Sequence, residues 1–151
     1  EFKILKFRTM IVQGEDDGLQ LTIGRDKRIT KVGYLLRKTK LDELPQLVNV
    51  LVGQMSFVGP RPEVPKYVAL YNKEQRNILK IRPGITDLAS IEYRDENRLL
   101  GQTAEPEKTY IEEIMPAKIA LNSQYLPNIS VIYDLKLIVR TIISILKGSK
   151  E

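Results

Sequence analysis

Two adjacent carboxylates, Asp42 and Glu43, are the residues of this chain best suited to chemistry. They follow the basic run Arg37 to Lys40 and precede Pro45, so the pattern predicts that they open a helix. Free N–H groups at a helix N-terminus favour anions, so we expect both carboxylates to be ionised at neutral pH. An ionised aspartate can act as a nucleophile, whereas the plainer alternative is that both residues only cap the helix.

The composition narrows the chemistry that these carboxylates can do. The chain of 151 residues contains no histidine and no cysteine. It therefore lacks the usual general base and any thiolate nucleophile, which leaves carboxylates, hydroxyls, Lys and Arg for catalysis. The net charge of +5 favours anionic partners, which include nucleic acids, acidic membrane surfaces and phosphorylated metabolites.

Cations at three other places suggest a polyphosphate site. Arg61 is displayed in the run Pro60 to Pro62, because the two prolines keep the backbone extended on both sides. Arg82 opens a second rigid loop, Arg82 to Thr86, and Lys6 lies in a basic N-terminal segment. Arg61 and Arg82 could instead pair with carboxylates at the surface, and Lys6 could be a solvated strand residue.

Hydrophobic periodicity predicts that a compact, mainly α-helical α+β domain spanning residues 1–151 positions these side chains. Loose alternation between Phe2 and Arg8 predicts a short N-terminal strand, and Leu19 to Ile23 is a weaker strand candidate. The spacing predicts helices over 29–38, 39–51, 64–79, 110–124 and 128–147. In the second of these, Thr39 is the expected cap. Its expected buried stripe consists of Leu44, Leu47, Val48 and Leu51.

The apolar segments do not amount to a membrane span. The longest, Leu135 to Leu146, is interrupted by Lys136 and Arg140 and is too short to cross a bilayer. The amphipathic helices over 64–79 and 128–147 could lie on anionic lipid, or simply pack in the core. A non-catalytic basic module for a membrane surface or a nucleic acid is therefore the alternative function. Basic and acidic residues interleave and no nucleic-acid motif appears, so we expect no nucleic-acid partner.

Four blocks of residues, in order and at matching spacing, resemble the bacterial sugar transferase family, the monotopic phosphoglycosyl transferases. The blocks are Lys6-Phe7-Arg8-Thr9-Met10, Leu41-Asp42-Glu43-Leu44-Pro45-Gln46-Leu47, Met55-Ser56-Phe57-Val58-Gly59-Pro60-Arg61-Pro62 and Arg82-Pro83-Gly84-Ile85-Thr86. The resemblance runs from about Lys6 to Leu146, including Asp134-Leu135-Lys136 in the last helix, and so covers nearly the whole chain.

The resemblance implies a reaction and roles for particular residues. A sugar-1-phosphate would pass from a nucleotide sugar, with UDP the expected carrier, to polyprenol phosphate through a covalent aspartyl phosphosugar. Asp42 would be the nucleophile, and Glu43 would help to bind Mg²⁺. The substrate-binding candidates are Lys6, Arg37, Arg61, Arg82 and Arg94.

The resemblance also implies a cellular setting. The reaction would be the first membrane step of surface glycan, exopolysaccharide or lipopolysaccharide synthesis, at the cytoplasmic face of the bacterial inner membrane. The family's re-entrant membrane segment lies upstream of the Lys6 block and is not in this sequence, so contact with a membrane surface is inferred. A homo-oligomer is compatible with the sequence.

The chain departs from the family pattern at three places. Asp87-Leu88 stands where many relatives have Gly-Trp, and Glu92-Tyr93-Arg94 stands where Asn-Gly-Arg or Ser-Gly-Arg is common. Leu121-Asn122 stands where some relatives have Leu-Asp. The first two departures bear on sugar preference, and the third removes an acidic group.

Overall fold

The computed structural model describes residues 1–11 and 26–147, so the strand candidate at Leu19 to Ile23 lies outside the described residues. Short helices make up most of the described chain. The α-helices are α1 (Lys31–Lys38), α2 (Gln46–Leu51), α3 (Pro65–Val68), α4 (Leu88–Glu92), α5 (Glu96–Leu100), α6 (Pro106–Thr109), α7 (Met115–Ser123) and α8 (Val131–Leu146). Leu41–Glu43, Gln75–Lys80 and Leu126–Asn128 form 3-10 turns, and Tyr110–Ile114 forms a π-helical turn.

A small parallel sheet confirms the α+β, mainly helical fold class. Its strands are β1 (Ser56–Val58) and β2 (Gly84–Thr86), with Ser56 opposite Gly84 and Val58 opposite Thr86. The predicted strand at the N-terminus is wrong: residues 2–8 take no strand conformation, and in that region only Met10 forms an isolated antiparallel bridge, with Ile29.

Two glycines bring the loops at the ends of this sheet together. The N–H of Gly59 donates to the Thr86 carbonyl at 3.0 Å, and the N–H of Gly84 donates to the Pro60 carbonyl at 3.1 Å. A Cβ on Gly84 would collide with the backbone of Gly59, so this approach requires glycine. Since the strands are parallel, the residues that follow β1 and β2 leave the sheet on the same side.

Tyrosines dominate the larger of two hydrophobic clusters. The rings of Tyr67 and Tyr110 lie 4.9 Å apart between centroids, and Tyr71 and Leu100 are buried with them. The continuous helix predicted over 64–79 is wrong, because α3 ends at Val68. Asn72 and Gln75 then exchange side-chain to backbone hydrogen bonds of 2.8 and 2.9 Å, which begin a separate 3-10 turn.

The two helices predicted near the C-terminus are confirmed. One runs without interruption from α6 through the π-helical turn and α7, and the other is α8. The Ser130 hydroxyl caps α8 by accepting from the Tyr133 N–H at 3.3 Å. In the second cluster, Leu137 of α8 packs with Val58 of β1 and with Tyr125, which fixes α8 against the sheet.

Several helices turn large apolar side chains outwards. Leu51 of α2 is 85% exposed, and Leu146 and Val131 of α8 are 80% and 76% exposed. Val32 and Leu35 of α1 are exposed as well. Among the helices of the described ranges, none combines the length and the apolar character needed to cross a bilayer.

Candidate active site

The carboxylate pair lies on a tight 3-10 turn rather than on the first turn of an α-helix. The predicted cap at Thr39 is wrong: the Thr39 hydroxyl donates back to Leu35 at 2.9 Å and closes α1. Lys40 then reverses the chain with φ of 58°, a left-handed conformation that a non-glycine residue rarely adopts. The turn Leu41–Glu43 follows, and α2 begins only after Pro45.

The helix that follows the pair is inverted relative to the prediction, because it buries its polar residues. Gln46 and Asn49 are 1% and 2% exposed, and Asp42 on the preceding turn is 7% exposed. The stripe predicted to be buried is exposed instead. Its members are 49% (Leu44), 40% (Leu47), 48% (Val48) and 85% (Leu51) exposed.

Asn49 explains both the inversion and the position of Lys6. Its side chain accepts from the Leu5 N–H at 3.0 Å and donates to the Lys3 carbonyl at 2.9 Å. The Phe7 N–H donates to the Asp42 carbonyl at 2.9 Å. The N-terminal segment is therefore held by a side chain and a turn instead of by a partner strand, and this places the Lys6 ammonium 3.4 Å from Glu43.

Arg61 reaches the pair from the loop after β1. Its guanidinium donates to both carboxylate oxygens of Glu43, through Nη1 at 3.0 Å and through a shorter bond from Nη2. Such a bidentate, charge-assisted pair is stronger and more directional than a single hydrogen bond between neutral groups. The Pro60 to Pro62 run and the Asp42–Glu43 pair therefore meet through Arg61 and Glu43.

Cations lower the pKa of Glu43. Burial by itself would raise the pKa, but the hydrogen bonds and charge of Arg61, followed by the charges of Lys6 and Lys40, lower it to about 2. The Glu43 side chain is 11% exposed, so water screens these interactions weakly. Glu43 is therefore a fixed negative charge at neutral pH.

Asp42 shows the opposite behaviour. Burial raises its pKa, and the charge of Glu43 raises it further, against the opposing effects of Lys6, Lys40 and Arg37. Its Oδ1 atom is buried and has no hydrogen-bond partner in the described part of the protein. Four residues on, the buried Nε2 of Gln46 also lacks a partner there. A buried polar atom without a hydrogen-bond partner is rare in proteins and calls for an explanation, such as a role in binding or catalysis.

The other cationic candidates lie at different distances from the pair. Arg37 bonds to the Thr9 hydroxyl at 2.9 Å, and its charge acts on Asp42. Arg94 donates to the carbonyls of Ser144 and Ile145 near the end of α8. Burial lowers the pKa of Lys40, and the charge of Arg94 contributes in the same direction. The Arg82 side chain makes no hydrogen bond or ion pair with Asp42 or Glu43.

The chemistry of the donor set at the pair fits Mg²⁺. No group of three or more potential ligands of the His, Cys, Asp or Glu type occurs among residues 1–11 and 26–147. Mg²⁺ is commonly held by one or two carboxylates, with substrate phosphates and water completing its coordination. Asp42, whose Oδ1 has no hydrogen-bond partner among the described residues, and Glu43 are the two carboxylates that could hold such an ion.

Two departures from the family pattern meet in the structure, which sequence reasoning did not anticipate. The Asn122 Nδ2 donates to Asp87 Oδ2 at 2.9 Å, and the same carboxylate oxygen accepts from the backbone N–H of Arg61 at 2.6 Å. The unusual residues at 87 and 122 were the available signal. Their contact depends on α7 packing on α4, which is not readable from local spacing.

Comparison with known proteins agrees with the motif blocks. Residues 1–148 match the family described as bacterial sugar transferase. A UDP-N-acetylgalactosamine-undecaprenyl-phosphate N-acetylgalactosaminephosphotransferase from Aeromonas hydrophila is 37% identical over 98% of the chain. A UDP-glucose:undecaprenyl-phosphate glucose-1-phosphate transferase from Klebsiella pneumoniae is 40% identical over 93% of it. The exopolysaccharide production protein PSS from Rhizobium leguminosarum bv. phaseoli is 38% identical over 98%.

The matched part differs in extent between these relatives. The chain spans 33% of the Aeromonas protein and 28% of the Klebsiella protein, but 72% of the Rhizobium protein. All three alignments cover nearly all of this chain, including the Asp42–Glu43 turn and the Arg61 loop.

Proposed function

The chain belongs to the bacterial sugar transferase family, and on that premise we propose that it transfers a sugar-1-phosphate from a UDP-sugar to polyprenol phosphate. The observation that carries the proposal is the buried Asp42 carboxylate, whose Oδ1 has no hydrogen-bond partner among the described residues. The adjacent Glu43 is held by Arg61 and Lys6. Relatives named for transfer from UDP-sugars to undecaprenyl phosphate support the same substrate classes. The setting would be exopolysaccharide or other surface glycan synthesis, including lipopolysaccharide.

In the first half-reaction, a carboxylate oxygen of Asp42 attacks the phosphorus that carries the sugar. An oxygen–phosphorus bond forms, the bond from that phosphorus to the bridging diphosphate oxygen breaks, and UMP leaves with the electron pair. The product is an aspartyl phosphosugar. The raised pKa of Asp42, caused by burial and by the charge of Glu43, makes its carboxylate a stronger nucleophile once ionised.

Arg61 and Lys6 supply the positive charge that the diphosphate requires. Both are engaged with Glu43, so the protein itself orders their side chains for substrate. Diphosphate oxygens compete with Glu43 for the Arg61 fork, because bidentate recognition suits phosphate as well as carboxylate. Glu43, once released, would hold Mg²⁺ together with Asp42, and that ion when bound neutralises charge on the phosphate oxygens.

In the second half-reaction, polyprenol phosphate takes the place of UMP. One of its phosphate oxygens attacks the phosphorus of the aspartyl phosphosugar, and the bond to Asp42 breaks. Polyprenyl diphosphate sugar leaves, and Asp42 returns as a free carboxylate. The acceptor is lipid-bound, so the catalytic turn must work at a membrane surface, at the cytoplasmic face of the inner membrane. The exposed apolar residues of α1, α2 and α8 are suited to that surface.

UMP release tests the proposed function. The native protein is incubated with Mg²⁺, undecaprenyl phosphate and a panel of UDP-sugars, beside D42N and a control variant, E105Q. The Glu105 side chain is 70% exposed, and among the described residues its ion pair is with Lys108, so removing its charge leaves the dyad intact. We expect UMP from the native protein and from E105Q with at least one sugar, and none from D42N. Equal UMP release by D42N and the native protein would contradict the proposal.

A further inference from the structure

Arg61 N–H is the only backbone donor in the run Pro60 to Pro62, because proline has no N–H. That single donor is bonded to Asp87 Oδ2 at 2.6 Å. We propose that Asp87 is a positioning residue, whose buried carboxylate fixes the Arg61 backbone so that the guanidinium faces Glu43 and the substrate diphosphate. The inference rests on the proposed function for the role of Arg61 and adds to it the residue that places Arg61.

Asp87 joins three parts of the fold through one carboxylate. Its Oδ1 accepts from the Ser90 N–H and caps α4. Its Oδ2 accepts from Arg61 N–H and, at 2.9 Å, from Asn122 Nδ2 of α7. Asp87 is 3% exposed, so water does not compete for these bonds. The loop after β1 is therefore tied at Arg61 to the start of α4 and to α7.

The sheet geometry brings Asp87 to this position. Val58 is the last residue of β1 and lies opposite Thr86, the last residue of β2. Asp87 follows directly, and Arg61 lies three residues past Val58 on the same side of the sheet. The contact of Gly59 with Gly84 holds the segments after β1 and β2 close together, so that the side chain of Asp87 can reach the backbone of Arg61.

Charge favours the same arrangement. The Asp87 carboxylate lies close enough to the Arg61 guanidinium for their opposite charges to attract each other. This attraction does not depend on a bond between Arg61 and Glu43. Asp87 therefore holds Arg61 through its backbone N–H and leaves the guanidinium N–H groups available for the substrate.

A double-mutant cycle tests whether Asp87 acts through Arg61. D87N is nearly isosteric, but an amide has one acceptor oxygen, so either Arg61 N–H or Ser90 N–H loses its partner. R61A keeps the backbone N–H and lacks the guanidinium. The probe is the dissociation constant of UDP with Mg²⁺, measured by calorimetry on the native protein. We expect D87N to weaken binding about tenfold, as loss of one charge-assisted hydrogen bond does, and by less than about twofold in the R61A background.

An equal loss of affinity in both backgrounds would overturn the proposal, because Asp87 would then act only on the fold. A wild-type protein that does not bind UDP would instead count against the proposed function, and the second readout separates the two failures. It is the amide exchange rate of Arg61, followed by NMR without any ligand.

I119A is the matched control for this second readout. Ile119 of α7 is 4% exposed, and within the described ranges no hydrogen bond joins it to the Arg61 loop. D87N should accelerate exchange at Arg61 about tenfold more than I119A does, after both are normalised to exchange at Thr109. Thr109 N–H bonds to the Glu105 carbonyl at 2.9 Å in α6 and reports on the fold outside the Arg61 loop. Equal normalised rates at Arg61 in the two variants would overturn the assignment of Asp87.

Discussion

Asp42 and Glu43 are neighbours in the chain, yet their carboxylates have different surroundings. Glu43 receives the Arg61 fork and the Lys6 ammonium, whereas Asp42 Oδ1 is buried with no partner among the residues described. The pKa of Glu43 is lowered to about 2 by these cations against the effect of burial, and the pKa of Asp42 is raised by burial and by Glu43. Under the proposed function, these surroundings suit Asp42 to act as the nucleophile and Glu43 to hold charge or metal.

The raised pKa of Asp42 predicts a trade-off between stability and activity. Since the folded-state pKa lies above the ordinary value, ionising Asp42 disfavours the folded state as pH rises through that range. At pH 7, D42N should therefore raise the melting temperature while reducing transfer by at least about 10³-fold. Thermal unfolding and UMP release measure the two effects. A lower melting temperature for D42N would contradict the electrostatic account of Asp42.

Glu43 should show the opposite dependence on pH. Its folded-state pKa of about 2 lies below the ordinary value, so its charge stabilises the fold above pH 4.5 and loses that effect as pH falls towards 2. E43Q should cost about 1 to 3 kcal/mol at pH 7, with a smaller cost at pH 3. Urea unfolding at the two pH values measures this. A cost that is the same at pH 3 and pH 7 would exclude an ion pair as its source.

The candidate site was predictable from the sequence to the extent that it depends on local spacing. Asp42, Glu43 and Arg61 were identified from a carboxylate pair and a Pro-Arg-Pro run, and the structure brings them together. The expectation of an α-helix N-terminus at the pair failed, because Lys40 adopts a left-handed conformation and forces a 3-10 turn. Asp87 could not be assigned, since its partners are 26 and 35 residues away.

At the scale of elements, α2 shows how a short polar contact outweighs hydrophobic periodicity. The periodic residues Leu47 and Leu51 pointed to a buried apolar stripe, but Asn49 on the other face bonds to Lys3, Leu5 and Gln54. A buried amide with three partners would cost much more to expose than one leucine. The helix therefore turns its polar side inwards, and the leucines at periodic positions lie at the surface instead of in the core.

This inversion predicts unequal effects of two substitutions in α2. L51Q should change the free energy of unfolding by no more than about 0.5 kcal/mol, because Leu51 is 85% exposed. N49L should cost about 2 to 4 kcal/mol, since it leaves the Leu5 N–H and the Lys3 carbonyl without partners. Urea denaturation measures both. A larger loss for L51Q than for N49L would mean that the apolar face of α2 is the buried one.

The sheet makes a prediction at the same scale. G84A should destabilise the protein by about 1 to 3 kcal/mol and lower the affinity for UDP, because a Cβ there collides with Gly59 and separates the Arg61 loop from β2. G101A is the control, since Gly101 is exposed at the end of α5 with φ of −68°, which alanine adopts readily. Calorimetry with UDP reports the affinity. Unchanged affinity in G84A would show that the sheet contact does not position Arg61.

At the scale of the whole molecule, the chain builds its core from tyrosines and leaves many aliphatic residues outside. Tyr67, Tyr71 and Tyr110 are buried together, while Leu51, Val131 and Leu146 are among the most exposed side chains. The fold class and the C-terminal helices could be predicted from periodicity, because α7 and α8 each bury residues along one of their own faces. Two features could not be predicted: the end of the helix at Val68 and the N-terminal segment that joins no sheet. They depend on hydrogen bonds from the side chains of Asn72 and Asn49.

Under the proposed function, the outward aliphatic residues are candidates for contact with the membrane that carries the acceptor. Many of them belong to α1, α2 and α8, and α2 follows the Asp42–Glu43 turn. We expect a lipid-bound acceptor to reach Asp42 past the exposed face of α2.

Covalent labelling of the protein tests the central claim most directly. The native protein is incubated with Mg²⁺ and a UDP-sugar whose β-phosphate carries ³²P, without polyprenol phosphate, then digested and mapped by mass spectrometry. The account predicts a phosphosugar on the peptide that contains Asp42, its discharge when undecaprenyl phosphate is added, and its absence in D42N. Label on a different residue, or label that persists in D42N, would contradict the assignment of Asp42 as the nucleophile.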